Sequence, residues 1–147
     1  MNGVYDVIII GAGPAGLAAG LYAGRARLST LIIEKGKEGG QIVQTSEIEN
    51  YPGSMEEETG STLIDRMSKQ VDKFGAERII DTIVNMELDG KKKKLIGKKS
   101  IYSGKTVIIA TGAVPTLIGC PGEKGFTGVA NILSGNANPS GKLVDTY

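Results

Sequence analysis

Three glycines near the amino terminus have the spacing of a phosphate-binding turn. The stretch YDVIIIGAGPAG places Gly11, Gly13 and Gly16 directly after a run of branched apolar residues, in the pattern G-x-G-x-x-G. In such a turn the first glycine permits a tight bend, the second lets the backbone approach a pyrophosphate, and the third lets a helix pack on the strand. The free N–H groups and the dipole at the start of that helix favour an anion. The pattern therefore predicts a dinucleotide site.

An acidic residue, Glu34, follows the second apolar run and lies 18 residues after Gly16. A carboxylate at this point can accept hydrogen bonds from the hydroxyl groups of a ribose. It disfavours a ribose that carries a 2′-phosphate, so FAD or NAD suits the site better than NADP. The alternatives are that the glycines serve packing alone and that Glu34 is a surface acid at the end of a strand.

The elements that must hold these residues follow from composition and periodicity. Val4–Ile10 and Thr30–Ile33 are short, apolar and rich in β-branched residues, as strands covered on both faces are. Residues 14–27 between them are rich in Ala, Leu and Arg and predict a helix, whose small residues would let it lie close to the sheet. Together these segments predict a βαβ unit.

The middle of the chain predicts a functional loop, a second helix and further strands. Gly36–Gly53 is polar, rich in glycine and without periodicity, which is typical of a long functional loop. Residues 59–74 predict a helix that stops at Gly75. The apolar face of this helix would consist of Leu63, Met67, Val71 and Phe74. The remaining predicted strands are Arg78–Val84, Asn85–Asp89 and Leu95–Tyr102, which would form a meander, and Lys105–Ala110, which would be buried and parallel.

Composition excludes several kinds of chemistry. The 147 residues include 17 basic and 16 acidic side chains, so the net charge of +1 gives no reason to expect nucleic acid or an anionic membrane as a partner. The chain has no histidine and one cysteine, Cys120, which rules out a Ser-His-Asp triad and a Cys-x-x-Cys pair. No metal site and no catalytic residue are predicted. The apolar run near the start is too short for a membrane span or a signal peptide, so we expect a cytoplasmic protein.

The motifs resemble one family. VIIIGAGPAG, EKGKEGGQIVQTSEIENYPG, FGAE and VIIATGAVPTLIGCPGE occur here in the order and at the spacings found in the FAD-binding half of bacterial thioredoxin reductases. GGQ together with ENYPG is the specific part, since many flavoproteins share the other motifs. The resemblance covers about residues 3–128 and implies a Rossmann-like α/β fold of three layers, with a parallel sheet and a small antiparallel meander.

The same resemblance implies that FAD is the cofactor and which residues contact it. The FAD pyrophosphate would lie on Gly11, Gly13, Pro14 and Ala15, and the adenosine ribose on Glu34. The remaining implied contacts are Gly40 and Gln41 along the pyrophosphate and flavin, Asn50 near the isoalloxazine, Asp81 to Val84 beside the adenine, and Ala110, Thr111 and Gly112 over the cofactor. Without the resemblance, Gln41 and Asn50 would be interpreted as ordinary polar loop residues.

The resemblance ends near residue 128. In the reductases an NADPH-binding domain with a redox-active Cys-x-x-Cys follows, and a returning segment then contacts the flavin with a Gly-Asp motif. Residues 128–147, GVANILSGNANPSGKLVDTY, instead resemble a short piece of a family-three β-glucosidase. We therefore expect an incomplete FAD-binding domain over residues 1–127 and an unrelated tail over 128–147, which a fusion, a frameshift or an assembly artefact would explain.

Two hypotheses about function remain open from the sequence. In the first, the chain is the FAD-binding part of an enzyme that carries electrons from NADPH through FAD and a dithiol to thioredoxin, and it is inactive alone. In the second, the chain is a non-catalytic dinucleotide-binding module or a chimeric fragment. The sequence is compatible with a homodimer and does not decide the oligomeric state.

Overall fold

The structure is a computed structural model and describes residues 3–113. Its elements, in chain order, are β1 (Val4–Ile10), α1 (Pro14–Arg25), β2 (Thr30–Glu34), a 3-10 helix (Gly40–Gln44), α2 (Gly60–Lys73), β3 (Glu77–Ile80), β4 (Ile83–Glu87), β5 (Lys93–Gly97) and β6 (Ile101–Ile109). Within these residues neither helix is long and apolar enough to cross a membrane. The predicted domain boundary at residue 127, the tail 128–147 and Cys120 lie outside the described residues.

All six described strands belong to one sheet, in the order β3-β2-β1-β6-β5-β4. Strands β1, β2, β3 and β6 run parallel, with Ile9 of β1 opposite Ile32 of β2 and Ile108 of β6. Strands β5 and β4 continue the sheet in antiparallel fashion beyond β6. This arrangement confirms the predicted α/β fold, in which a parallel sheet is joined to a small antiparallel meander.

Both faces of β1 and β2 are covered, whereas the predicted burial of Lys105–Ala110 is wrong, because Ile108 and Ile109 of β6 are exposed. Ile9 and Ile32 belong to a buried cluster with Leu17 of α1 and Val71 of α2, whereas Ile8 on the opposite face packs in a cluster with Leu31, Ile33 and Leu95 of the meander. Neighbouring residues of a strand point to opposite faces, so a strand that is covered on both sides is apolar throughout. Full burial of each such side chain contributes about 1.5–3 kcal/mol.

Helix α1 lies very close to the sheet because its contacting face carries glycine. A Cβ placed on Gly16 would lie 1.8 Å from the carbonyl oxygen of Gly11, and one placed on Gly20 would lie 2.5 Å from Cδ1 of Ile32. Both separations are far below van der Waals contact, so the helix could not keep this distance with any larger residue at position 16. The small-residue face predicted for this helix is therefore confirmed.

Helix α2 begins and ends close to where the sequence predicts. Thr59 caps it, because its Oγ1 accepts the N–H of Thr62 at 3.2 Å while the Thr59 N–H donates to Oγ1 of Thr62 at 2.9 Å. This reciprocal pair is a capping box. Gly75 follows the helix with φ +74°, a left-handed conformation that favours glycine. Phe74 was expected on the buried face, but it follows the last helical residue and is 44% exposed.

All four strands predicted after residue 77 have different limits in the structure, and β4 combines the end of the first with most of the second, Asn85–Asp89. The predicted strand Arg78–Val84 is two strands, since β3 ends at Ile80 and pairs with β2, while β4 begins at Ile83 and pairs with β5. The predicted strand Leu95–Tyr102 is likewise divided by a turn after Gly97. Strand β6, in contrast, is continuous, and its first half pairs with β5 whereas nearly its whole length pairs with β1. Apolar periodicity shows that a segment is extended, but it does not show where a strand changes its partner.

One buried carboxylate, that of Asp81, explains where these strands divide. It accepts the N–H of Thr82 at 2.7 Å, the N–H of Lys99 at 3.1 Å and the hydroxyl of Tyr102 at 2.8 Å. A Cβ on Gly97 would lie 2.1 Å from Oδ2 of Asp81, so the neighbouring turn has room for this side chain only because residue 97 is glycine. Asp81 thus joins the β3–β4 link to the β5–β6 turn.

These donors stabilise the ionised form of Asp81. Burial by itself would raise the pKa of this carboxyl, but the hydrogen bonds from Tyr102 and from the backbone of Thr82, Lys99 and Ser100 outweigh it and lower the pKa below its usual value. On the partner side, burial and the bond to Asp81 raise the pKa of Tyr102 to about 12. The pair therefore favours the ionised Asp81 and the neutral Tyr102 in the folded protein.

We expect Asp81→Asn to lower the free energy of unfolding at neutral pH by more than Asp89→Asn, a matched change at an exposed turn residue. Because the folded-state pKa of Asp81 is lowered, its contribution is complete above the unfolded pKa of about 3.9 and is lost as the pH falls through the folded value. Urea unfolding at pH 7, 5 and 3 should show the difference between wild type and Asp81→Asn narrowing below about pH 4. A difference that stays constant over this range would contradict the assignment.

Candidate functional site

The first glycine of the turn is required by the fold itself. Gly11 is buried with φ +107°, and a Cβ on it would lie 2.2 Å from the carbonyl oxygen of Ala110. Its N–H donates to the carbonyl of Ile33 at 2.8 Å, while the N–H of Ala110 donates to Ile10 at 2.8 Å. The ends of β1, β2 and β6 therefore meet around Gly11, and the site lies at the carboxyl ends of the parallel strands.

Gly13 differs from its two neighbours in the motif, because nothing in the fold requires it to be glycine. Its φ of −78° and ψ of −176° are open to any residue. A Cβ on Gly13 would have one described neighbour within 4 Å, the carbonyl oxygen of Gly39, at an ordinary contact distance of 3.8 Å. Residues 3–113 thus leave the space in front of Gly13 open.

The amino terminus of α1 faces this space without a cap. Pro14 is the first helical residue, and within residues 3–113 no side chain accepts a hydrogen bond from the N–H groups of the first turn. The first backbone bond of the helix runs from the N–H of Leu17 to the carbonyl of Gly13 at 2.9 Å, and Ala15 is exposed. Helix α2, by comparison, is fully capped by Thr59. The free N–H groups and the helix dipole make the start of α1 suitable for an anion.

Glu34 lies beside the same turn and holds it. Its Oε2 accepts the N–H of Ala12 at 2.7 Å, and its Oε1 accepts the N–H groups of Lys35 and Gly36 at 2.8 and 3.3 Å. A carboxylate has about four acceptor positions, so one remains for a ligand hydroxyl. Glu34 therefore has a structural role in fixing Ala12, in addition to the ribose contact that the sequence predicts.

A pair of glycines, Gly39 and Gly40, forms the opposite wall. The N–H of Gly39 donates to the carbonyl of Ala12 at 2.8 Å, so the peptide groups on both sides of Ala12 are held. Both glycines have positive φ, +117° and +64°, and a Cβ on Gly40 would lie 3.8 Å from the Cα of Gly13. Gly13 and Gly40 thus lie close together, and we call the space that borders their bare backbone, in front of Gly13, the crevice.

Gln41 links this wall to the end of β6. Its amide Nε2 donates to the carbonyl of Ala113, which directly follows the predicted contact residues Ala110, Thr111 and Gly112. Ala110 is half-buried beside Gly11, whereas Thr111 and Gly112 are exposed, and Gly112 has φ +66°. The structure thus brings the segments 39–41 and 110–113 together with the glycine turn.

Asn50 lies in a separate, exposed part of the long loop. The base of that part is closed by two backbone bonds, from Gly60 to Thr45 at 2.9 Å and from Ile48 to Glu58 at 2.8 Å. The carboxylate of Glu58 is almost fully buried and is paired with Arg66 of α2 at 3.0 Å. Among the described residues, no hydrogen bond joins the Asn50 side chain to the crevice, so its predicted contact with the flavin stays a prediction.

A cleft of about 790 Å³ extends from Glu34 towards the end of β3. Its walls include Ile79 and Ile80 but not Val84, which lies on β4 and is 58% exposed. The carboxylate of Asp81 accepts the hydrogen bonds that link the β3–β4 connection to the β5–β6 turn. The structure therefore places the apolar residues of β3 nearer to Glu34 than the predicted adenine contact Val84, whose role also stays a prediction.

Sequence reasoning missed the charged side chains at the bottom of this cleft. Glu38, Ser68, Asp72 and Arg78 line it and contact one another. Arg78 is 40 residues away from Glu38 in sequence, and a single charged residue on a short strand is an ordinary feature, so no sequence pattern could have indicated this cluster.

Comparison with known proteins identifies the family of this chain. Residues 5–143 match the family described as pyridine nucleotide-disulphide oxidoreductase. The chain is 57% identical over 128 residues to a thioredoxin reductase of Peptoclostridium acidaminophilum, which covers 87% of this chain and 41% of that protein. It is 49% identical over 127 residues to a thioredoxin reductase of Bacillus subtilis (strain 168), with 85% and 39% coverage. The chain thus spans about two fifths of the length of these relatives.

Solved structures show the same similarity in three dimensions. The thioredoxin reductase of Streptococcus pyogenes MGAS5005 aligns with a TM-score of 0.77 and 44% identity, over 84% of this chain and 40% of that one. The thioredoxin reductase of Lactococcus lactis aligns with a TM-score of 0.75 and 40% identity, over 84% of this chain and 41% of that one. These alignments confirm the Rossmann-like fold and the resemblance predicted from the motifs.

The resemblance of residues 128–147 to a β-glucosidase is not supported. The family match continues to residue 143 and so includes most of the segment 128–147. Short glycine-rich and polar stretches recur in unrelated proteins, and a similarity of 20 residues carries little information. From residue 5 to residue 143, the chain belongs to the pyridine nucleotide-disulphide oxidoreductase family.

Proposed function

We propose that this chain is the FAD-binding part of a thioredoxin-reductase-like flavoprotein. The observation that carries the proposal is the glycine at position 13, which borders the crevice and which the described residues do not require. Gly11 and Gly16 are glycine for reasons of packing, but neither packing nor backbone conformation explains Gly13. A missing Cβ that the protein does not need leaves room for a ligand, and a pyrophosphate is the group that a G-x-G-x-x-G turn accommodates.

The residues around the crevice fit the parts of FAD. The uncapped N–H groups after Pro14 would hold the pyrophosphate, the remaining acceptor position of Glu34 would hold the ribose, and Gly40 would let the backbone approach from the other side. Gln41 and the segment 110–113 lie next to that wall, where polar amide groups suit a flavin. When bound, FAD would supply the electron-transfer chemistry, for which the protein provides binding and orientation.

We propose that, in the complete protein, this part has the role that the name of its relatives, thioredoxin reductase, indicates. In it, electrons would pass from NADPH to FAD, then to a dithiol and finally to thioredoxin. The proposal rests on 40–58% identity to proteins called thioredoxin reductase and on the family match. A cytoplasmic location and a homodimer are compatible with this function and stay predictions.

Gly13→Ala and Gly16→Ala form a matched pair that tests the crevice. Gly13→Ala should change the free energy of unfolding by less than about 1 kcal/mol, because its Cβ would meet one described atom, the carbonyl oxygen of Gly39, at an ordinary contact distance. It should weaken FAD binding by about 100-fold or more, which corresponds to about 2.7 kcal/mol. Gly16→Ala should instead destabilise the protein by roughly 3 kcal/mol or more, since its Cβ would overlap a backbone oxygen. Urea unfolding and fluorescence titration with FAD measure both effects, and unchanged FAD affinity in Gly13→Ala would refute the proposed site.

Nucleotide preference tests the role of Glu34. The protein should bind FAD at least about tenfold more tightly than NADP, a difference of about 1.4 kcal/mol, because a carboxylate repels a 2′-phosphate. Glu34→Gln should reduce the ratio of FAD affinity to NADP affinity, because it removes the charge. Calorimetric titration with FAD, ADP and NADP provides the measurement. A colourless protein that binds ADP but not FAD would favour the alternative of a nucleotide-binding module without flavin.

Electron transfer by this 147-residue chain alone should be absent. Reduction of thioredoxin requires one thiol to form a mixed disulfide and a second thiol to release it, and Cys120 is the single cysteine of the sequence. With NADPH, FAD and oxidised thioredoxin, NADPH consumption and thiol release should stay at the uncatalysed background. Turnover that persists in Cys120→Ser would show that another site completes the reaction.

A further inference from the structure

The charged cluster at the bottom of the cleft is centred on Glu38. One oxygen of this carboxylate, Oε2, accepts both Nη1 of Arg78 and Oγ of Ser68, each at 2.7 Å. The second terminal nitrogen of Arg78, Nη2, forms an ion pair with Asp72 of α2. We call Glu38, Ser68, Asp72 and Arg78 the Glu38 cluster. It ties the loop after β2 to both α2 and β3.

This cluster is one peptide bond away from the wall of the crevice. Glu38 directly precedes Gly39, whose N–H bonds to Ala12, and Gly40, which faces Gly13. Glycines at positions 36, 39 and 40 leave this loop with much conformational freedom, which must be lost when it is ordered. The bonds to the Glu38 side chain supply the anchor that the glycines themselves cannot provide.

Arg78 acts on the crevice indirectly, through its bond to Glu38. Both of its terminal nitrogens contact carboxylates, one of Glu38 and one of Asp72, and its side chain is only 24% exposed. An Arg that is held by two carboxylates in this way is rigid, and it fixes whichever backbone carries those carboxylates. Asp72 belongs to a regular helix, whereas Glu38 belongs to a loop, so the ordering effect falls on the loop.

We propose that Arg78 is a positioning residue for the dinucleotide site. Through Glu38 it holds Gly39 and Gly40 opposite Gly13 and so forms the crevice before the ligand binds. A pre-formed wall lowers the ordering cost of binding and raises affinity without any contact between Arg78 and the ligand. The part of this inference that concerns FAD rests on the proposed function, whereas the ordering of the loop does not.

Amide hydrogen exchange in the ligand-free protein tests the ordering directly. In Arg78→Met the N–H of Gly39 should exchange at least about tenfold faster than in wild type, because the loop opens more often. Lys94→Met is the matched control, since it removes the exposed ion pair of Lys94 with Glu87 on the meander, and it should leave Gly39 exchange unchanged. Equal exchange at Gly39 in wild type and Arg78→Met would overturn the inference, whether or not the protein binds FAD.

A double-mutant cycle distinguishes positioning from direct contact. Arg78→Met and Glu38→Gln should each weaken FAD binding by about tenfold, and the double variant should lose little more, because both act through one bond. Arg78→Lys should retain part of the affinity, since lysine can pair with Glu38 but cannot bridge it to Asp72. If Glu38→Gln bound FAD normally while Arg78→Met did not, Arg78 would contact the ligand itself and the inference would be wrong.

Adenosine provides a readout that a general loss of stability would not reproduce. It lacks the pyrophosphate, so it depends on Glu34 but not on the wall formed by Gly39 and Gly40. Titration followed by NMR should therefore give the same adenosine affinity in wild type and Arg78→Met, while FAD affinity differs. Equal weakening of both ligands would show that Arg78 supports the fold as a whole or contacts adenosine in the cleft that it lines, and either result would overturn the inference. Failure of wild type to bind FAD would refute the proposed function, and the exchange measurement would still decide the ordering role.

Discussion

The binding end of this protein depends on how closely the backbone packs around the turn between β1 and α1. A Cβ on Gly11 would collide with the backbone of Ala110, and a Cβ on Gly16 would collide with Gly11 itself. Because both residues lack a Cβ, the ends of three parallel strands and the start of a helix can lie together at this turn. Because the same packing leaves Ala12 held by Glu34 on one side and by Gly39 on the other, the turn is rigid before any ligand arrives.

Gly13 is the one glycine of this rigid turn that packing does not explain. A Cβ at Gly13 would cause neither backbone strain nor overlap with residues 3–113, so these residues give no packing reason for glycine at this position. The wall beside Gly13 is also built from glycine, and it is anchored both by the backbone N–H of Gly39 on Ala12 and by the side-chain bonds of Glu38. The crevice thus combines two bare backbone surfaces with firm supports, which suits a ligand whose charged pyrophosphate must approach main-chain N–H groups closely.

A second polar node organises the other side of the sheet. Asp81 accepts donors from the β3–β4 link and from the β5–β6 turn, and Gly97 leaves the space that its carboxylate occupies. This node lets the chain leave the parallel strands at β3 and return through the meander to β6, so that Leu95 and Tyr102 cover the face opposite the helices. A buried charge is tolerated here because each of its oxygens is hydrogen-bonded.

The sequence by itself determined the βαβ unit, the helix over residues 60–73, the parallel character of the sheet and the position of the phosphate turn. These features follow from local patterns: apolar runs, helical periodicity, a capping pair and glycines at fixed spacing. The limits of β3, β4 and β5, the hydrogen bond from Ala12 to Glu34 and the contact of Arg78 with Glu38 were decided only by the tertiary structure. They depend on which distant segments become neighbours, and neither a strand's partner nor the carboxylate that a given Arg meets is encoded in the residues beside it.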